Sequence, residues 1–290
     1  MKLEKSELIL NPDGSIYHLN LLPEDIAETI ITVGDPDRVS DVSQYFDHIE
    51  LKKGKREFHA HTGTLNGKRL TVISTGIGTD NIDIVLNELD ALASIDFDSR
   101  EVKKNRIRFE IIRIGTSGAL QPEIPIDSFV LSEYGIGFDG LLYFYESKSI
   151  LHPKISGDLM SHLGWEDGPI RPYVVKYDQN LADKIGKNRI RLGATATNSG
   201  FYGPQGRRLR LNPKEGRFLS KLATFNFKNL RITNLEMETA GIYGLAQLLG
   251  HRAISFNCIL ANRATGEFSK NAHKAVDKLI RFTLEGIASS

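Results

Sequence analysis

The sequence predicts a single α/β domain, and three observations predict it. Apolar runs rich in β-branched residues end at glycine turns in IITVGDPDR (Ile30–Arg38), LTVISTGIGTDN (Leu70–Asn81) and FEIIRIGTSGAL (Phe109–Leu120), the pattern of a buried strand entering a tight turn. Behind the second turn, Ile82, Val85, Leu86, Leu89 and Leu92 recur at helical spacing and give a helix one apolar stripe. No composition break, repeat or low-complexity linker divides the 290 residues.

The elements follow in order. A strand at Ile30–Val33 leads to a helix from Pro36 to Phe46, with Asp35 placed to cap it. Glu57–Leu65 and Arg69–Ser74 flank Asn66-Gly67, a strong hairpin sequence. The helix carrying the Ile82 stripe is capped by Thr79 or Asp80. Ser128–Ser132 reads as a further strand and His152–Gly168 as helix plus turn. Ser199–Arg217, rich in Gly, Pro and Arg, is a long loop that reads equally as a functional lid or a solvated surface excursion. Glu238–Leu249, Ala253–Leu260 and Asn271–Ile287 complete the chain as helix, buried strand and closing helix.

Composition narrows the function. A net charge of +1 and 40% apolar residues point away from disorder and from a nucleic-acid footprint. One cysteine, Cys258, excludes an internal disulfide and a cysteine-based zinc site. No run of 18 apolar residues occurs and the N-terminus lacks a signal-peptide core, so the expected location is the cytoplasm. His59 and His61 share one face of a strand, but no third ligand stands nearby and a structural or solvent-facing pair is favoured. There is no dinucleotide fingerprint after the first strand, no P-loop and no nucleophile elbow.

The three glycine turns outline an anion site. Glycines at strand ends let backbone N–H groups converge on a phosphate-sized guest, and Arg38 and Arg113 supply charge beside them. The segments GDPDRV, REF, STGIG, RIGTSGA, FYGPQGR and LEMETA, in that order from about His18 to the last helix, resemble the nucleoside phosphorylases of the purine nucleoside/uridine phosphorylase superfamily, most closely its uridine phosphorylase branch. Insertions lie near Asp96–Asn105 and after Gln205. The resemblance implies a three-layer α/β/α domain over residues 18–290 with a central mixed, partly barrel-like sheet, residues 1–17 being an N-terminal extension. It also implies active sites shared between subunits of a homodimer, or of a homohexamer built from dimers.

Phosphorolysis holds phosphate against C1′ of a ribose while the base leaves, so the work is placement and electrostatics. Gly34, Arg38, Arg113 and the Thr116 hydroxyl form the expected phosphate cradle; by resemblance Arg56 reaches into the neighbouring subunit's phosphate site. Glu238, as a carboxylate, can accept both ribose hydroxyls, with Met237 against the sugar and Thr116 beside it. Glu236 reads instead as an acid favoured at a helix N-terminus. By resemblance His18 comes from the adjacent subunit to the 5′-hydroxyl. Gln205 and Arg207 can read the uracil edge, Phe201 can stack on the ring, and Arg207 can stabilise the departing base anion. The catalytic set is thus Arg113, Glu238 and Arg207. Bacterial purine phosphorylases carry an aspartate where this chain has Ala261, Asn262 and Arg263, which favours uridine.

The base loop departs from the family order: Tyr202-Gly203-Pro204-Gln205 replaces Tyr-Pro-Gly-Gln. No organic cofactor is implied; phosphate is a co-substrate, and a potassium ion at a subunit interface would use Glu57 and Ser74. The expected activity is reversible phosphorolysis of uridine in pyrimidine salvage. The alternatives are a purine nucleoside phosphorylase or nucleosidase of the same fold, and a non-catalytic nucleoside-binding member.

Overall fold

Strand β1 (Thr29–Val33) pairs in parallel with β4 (Lys68–Ser74) on one side and β7 (Glu110–Ala119) on the other. The β-branched run Thr29–Val33 is therefore covered by neighbours along its whole length, as its apolar sequence requires. These strands come from a computed structural model that describes residues 2–165, 168, 170–186 and 189–290.

The remaining elements follow in chain order. Helix α1 is Pro36–Ser43; β2 (His48–Lys55) and β3 (Phe58–Leu65) extend the sheet beyond β4 through antiparallel pairs. Helix α2 is Thr79–Ser94, and the short strands β5 (Ile95–Asp96) and β6 (Glu101–Val102) pair with each other. After β7 come β8 (Phe129–Gly137), α3 (Pro153–Leu163), β9 (Tyr173–Lys176), α4 (Gln179–Ile185) and β10 (Arg191–Thr197). The chain ends with α5 (Phe218–Thr224), β11 (Asn226–Phe227), β12 (Leu230–Glu236), α6 (Thr239–Leu249), β13 (Arg252–Asn262) and α7 (Ala272–Ala288).

The large sheet closes on itself. Strands β7, β13, β8, β10 and β12 pair in that order, and β12 returns to pair with β7, making a five-stranded barrel. The mixed, partly barrel-like α/β architecture expected from the sequence is thus present. Ile82, Val85, Leu86, Leu89 and Leu92 are all buried, which is the apolar stripe of α2. Residues before His18 lie on the same core: Leu8 and Ile16 are buried, and Arg100 beside β6 donates to the carbonyls of Leu3, Glu4 and Leu8.

Four local expectations need correction. Helix α1 ends at Ser43, three residues early, and the chain runs on through i→i+3 bonds from Tyr45 to Val42 and Phe46 to Ser43. The N-cap of α2 is Gly78, not Thr79 or Asp80, because the chain enters at φ +98°, where glycine is unstrained. Helix α6 begins at Thr239, with Glu238 at its N-cap. Most consequentially, RIGTSGA is not a turn: β7 runs straight through to Ala119, because Gly115 and Gly118 pair with Asn257 and Ala261 of β13. The turn expected before Gly168 falls partly on residues 166 and 167, outside the described residues; the helix before it ends at Leu163 with Gly164 as a left-handed cap.

Candidate active site

A cleft of about 840 Å³ opens where the ends of β1 and β4 meet the late residues of β7, β12 and β13. Gly34, Arg38, Arg113, Thr116, Met237, Glu238, Phe201, Gln205 and Arg207 all line it. Nine of the phosphate, ribose and base candidates thus meet in one place from four separate segments.

Asp35 caps α1 through the Asp37 N–H at 3.0 Å and so fixes the first turn from which Arg38 projects. Burial lowers the Arg38 pKa, Asp35 opposing. Its guanidinium makes no hydrogen bond or ion pair among the described residues. A half-buried guanidinium without a hydrogen-bonding partner, in the first turn of α1, is suited to an anionic guest.

Arg113 is engaged on both terminal nitrogens. Nη2 lies 2.6 Å from Glu238 Oε2 and 3.0 Å from Glu236 Oε2, and Nη1 donates to Asn257 Oδ1 at 3.0 Å. Burial works against its charge, but Glu236 and Glu238 more than offset that, and its pKa is raised. The guanidinium lies over Gly115: a Cβ there would stand 1.8 Å from Arg113 Nη1. Gly115 thus serves close approach inside a strand, where a turn was expected.

The two glutamates of LEMETA hold different backbone groups. Glu236 Oε2 accepts the N–H groups of Glu238 and Thr239, both at 2.9 Å, and Oε1 accepts the Thr197 hydroxyl at 2.6 Å, so it completes the N-terminus of α6. Glu238 Oε1 accepts the Gly78 N–H at 2.8 Å, at the N-terminus of α2. Burial raises the Glu238 pKa, Arg113 opposes and Glu236 adds to the rise. Two carboxylates thus share one guanidinium in a buried cluster.

In the base loop, Arg207 Nη1 donates to Gln205 Oε1 at 2.5 Å and to the Phe201 carbonyl at 2.7 Å, and its guanidinium carbon stands 3.6 Å from the Phe201 ring centre. Burial pulls the Arg207 pKa down to about 10, with Arg263 adding to the fall. The transposed Gly203-Pro204 forms a single 3₁₀ turn, Gly203–Gln205, that still buries Gln205 and directs it at the cleft.

The remaining candidates are placed differently. Arg56, at φ +56° in the β2–β3 turn, is exposed and does not line the cleft. His18 does not line it either: its Nδ1 lies 2.6 Å from Glu88 Oε1. Glu57 lines the cleft, whereas Ser74 is buried and donates to the Glu57 carbonyl at 2.5 Å. His61 Nδ1 is 2.7 Å from Ser43 Oγ and His59 is exposed. Among the described residues no three His, Cys, Asp or Glu side chains gather to hold a metal. No described helix is long and apolar enough to cross a membrane.

Sequence reasoning missed several residues at the cleft or behind it. Arg263, considered only for the acid it lacks, donates Nη1 to the Gln205 carbonyl at 3.3 Å. Asn262 is spent on structure: Nδ2 donates to the Gln121 and Ile124 carbonyls, and Oδ1 accepts from Ala264 and Thr265. Ile77 and Phe268 line the rim while largely exposed. Their signal was faint, two apolar residues in otherwise polar turns.

The sequence model of the phosphorylase superfamily matches residues 28–288. The chain is 30% identical over 273 residues to a uridine phosphorylase of Thermococcus kodakarensis, covering 94% of this chain and 87% of that protein. It is 26% identical to a DeoD-type purine nucleoside phosphorylase of Caldanaerobacter subterraneus, covering 92% and 98%. Among solved structures, a Trypanosoma brucei nucleoside phosphorylase described as showing uridine phosphorylase activity superposes with a TM-score of 0.87 at 29% identity, covering 98% of this chain and all of that one.

Proposed function

The chain belongs to the phosphorylase superfamily, and from that premise we propose that it cleaves uridine with inorganic phosphate, giving uracil and ribose 1-phosphate. The observation that carries this reading is the joint presence in one cleft of an unpartnered cation, Arg38, a guanidinium–carboxylate pair, Arg113–Glu238, and an amide–guanidinium pair, Gln205–Arg207. Those three units match a phosphate, a ribose and a uracil edge in turn.

In this reading Arg38, Arg113, the Gly34 N–H and the Thr116 hydroxyl hold phosphate. Glu238 accepts the ribose hydroxyls and favours positive charge developing on the sugar, with Met237 beneath it. Gln205 and Arg207 exchange their mutual hydrogen bond for bonds to the base, and Arg207 stabilises the leaving uracil anion. His18 and Arg56, outside their own cleft, serve the site of a second copy, which makes the working unit a homodimer or a hexamer of dimers. A potassium ion near Glu57 and Ser74 would belong to the same interface. Pyrimidine salvage in the cytoplasm is the matching role.

A purine phosphorylase is the rival within the superfamily. Against it stands Asn262, whose amide is fully committed to backbone groups and has no acid to offer a purine N7. The charge in the cleft argues against a nucleosidase, since water needs no dianion cradle. The deciding experiment is uracil release from uridine by the purified protein with and without phosphate, with inosine in parallel. Phosphate-dependent cleavage of uridine supports the reading. Inosine cleavage replaces the base assignment, phosphate-independent release makes the protein a nucleosidase, and inactivity on both favours a binding protein.

A further inference from the structure

One buried polar side chain from each strand of the barrel is hydrogen-bonded to the next, in strand order. Asn257 of β13 donates Nδ2 to Ser132 Oγ of β8 at 3.0 Å, Ser132 meets Thr195 Oγ1 of β10 at 2.6 Å, Thr195 donates to Asn234 Oδ1 of β12 at 2.9 Å, and Asn234 donates to Ser117 Oγ of β7 at 2.9 Å. The Thr195 proton goes to Asn234, so Ser132 is the donor to Thr195, and every link points the same way. Arg113 supplies the head of the chain through Nη1 to Asn257 Oδ1 at 3.0 Å. The tail, Ser117, lines the cleft. None of Asn257, Ser132, Thr195 or Asn234 has any exposed surface.

Five polar side chains buried in a barrel are costly unless every one is satisfied. The β7–β13 register shows what this one is built around. Asn257 stands opposite Gly115, two residues along the strand from Arg113, and the missing Cβ of Gly115 is the space through which the guanidinium reaches it. Both carboxylates hold Arg113 at one nitrogen, Nη2. A planar group held at one corner can still pivot. Asn257 fixes the second corner, and its own amide cannot flip, because Nδ2 is taken by Ser132. The other neighbour of Nη1, Ser255 Oγ, is at 3.4 Å and is shared with Thr239 Oγ1 at 2.8 Å, a weaker hold.

We propose that Asn257 is a positioning residue that sets the plane of the Arg113 guanidinium for anion binding, its own orientation being locked by the hydrogen-bonded belt around the barrel. It does not line the cleft and acts through Arg113. The proposal rests on the assignment of Arg113 to the phosphate site, and its test is separable from the uridine assay.

The test is binding of inorganic phosphate to the full-length protein by titration calorimetry, with uridine binding measured separately in the absence of phosphate. Asn257→Leu, close in volume and unable to hydrogen-bond, is expected to weaken phosphate binding by about tenfold, the scale of one hydrogen bond to a charged group. Uridine affinity should stay within about twofold, since Glu238 keeps its bonds to Gly78 and Arg113 Nη2. Unchanged phosphate affinity in a folded Asn257→Leu protein overturns the proposal, as does a parallel loss of both ligands, which marks general disruption. If Asn257→Leu does not fold, Ser132→Ala decides: it spares the contact with Arg113 but unlocks the Asn257 amide, and should weaken phosphate about threefold. No change there overturns the proposal. Wild-type protein that binds phosphate but leaves uridine intact would fail the functional reading and leave this comparison in force; wild-type protein that binds no phosphate overturns both.

Discussion

Arg113 and Glu238 form a buried ion pair, Nη2 to Oε2 at 2.6 Å, so the group assigned to phosphate and the group assigned to ribose are joined before either ligand arrives. Glu236 shares the same nitrogen at 3.0 Å. Removing the cation from such a cluster strands two buried carboxylates, a defect worth about 3–5 kcal/mol. Arg113→Ala should therefore melt well below wild type and lose roughly 10²–10³-fold in turnover. Arg113→Lys keeps the charge but has no fork to reach both Glu238 and Asn257, so it should recover stability more than activity. Thermal melts alongside initial rates separate the two losses; near-normal phosphorolysis by Arg113→Ala would remove Arg113 from the chemistry.

The two glutamates should respond oppositely to neutralisation. Burial holds the Glu238 carboxyl above its ordinary value against the pull of Arg113. A carboxyl that titrates higher in the folded state favours folding when protonated; that contribution is complete below the unfolded value and is lost as pH rises through the folded one. Glu238→Gln should accordingly melt at or above the wild-type temperature at neutral pH, yet bind uridine about 10- to 100-fold more weakly for want of a charged acceptor. Wild-type uridine binding, measured without phosphate, should weaken on acidification at a pH above the usual carboxylate range, and Glu238→Gln should be flat there. Glu236→Gln, which blunts the acceptor of two α6 N–H groups, should instead lose about 1–3 kcal/mol of stability. A Glu238→Gln protein that unfolds more readily than Glu236→Gln would reverse this division.

The parts of the site that were legible in the sequence are those with a local cause. Arg38 follows a glycine and a capping aspartate, and Glu238 follows a strand and precedes a helix, so their neighbourhoods announce a strand end. Asn257 was not legible in this way. It interrupts an apolar run, SFNCIL, with Ser255 two residues before it, and only the register with Gly115 reveals that the polar face of β13 meets Arg113. The misreading of RIGTSGA has the same origin: a glycine in an apolar run signals a turn or a close approach, and the choice between them depends on a side chain two residues away. His18 and Arg56 do not line the cleft of their own chain, and no pattern within one sequence reports on a contact between two copies.

Base selectivity should depend on Gln205. It is buried, and Oε1 is held 2.5 Å from Arg207 Nη1, so the amide is presented at a fixed angle by a cation that also covers Phe201. Gln205→Ala removes the partner of the uracil edge and releases Arg207. Discrimination between uridine and inosine in kcat/KM should fall by about tenfold or more, mainly through loss on uridine. An unaltered ratio would place base recognition elsewhere, with Arg263 the next residue to test.

Arg38 offers the contrast that separates ligand binding from folding. Arg113 is tied to Glu236, Glu238 and Asn257, whereas the Arg38 guanidinium has no hydrogen-bonding partner among the described residues, and burial lowers its pKa. A cation whose desolvation is only partly offset by Asp35 and Asp41 costs the folded protein free energy that an arriving anion returns. Arg38→Ala should therefore leave the melting temperature of the free protein unchanged or slightly raised, in the opposite direction to Arg113→Ala. Its phosphate KM should rise by roughly 10- to 100-fold, the effect of losing one charge-assisted contact. Added phosphate should raise the melting temperature of wild type by mass action and that of Arg38→Ala far less at the same concentration. A loss of stability in free Arg38→Ala, with phosphate protection intact, would show that Arg38 holds the fold and that the anion is held by Arg113 alone.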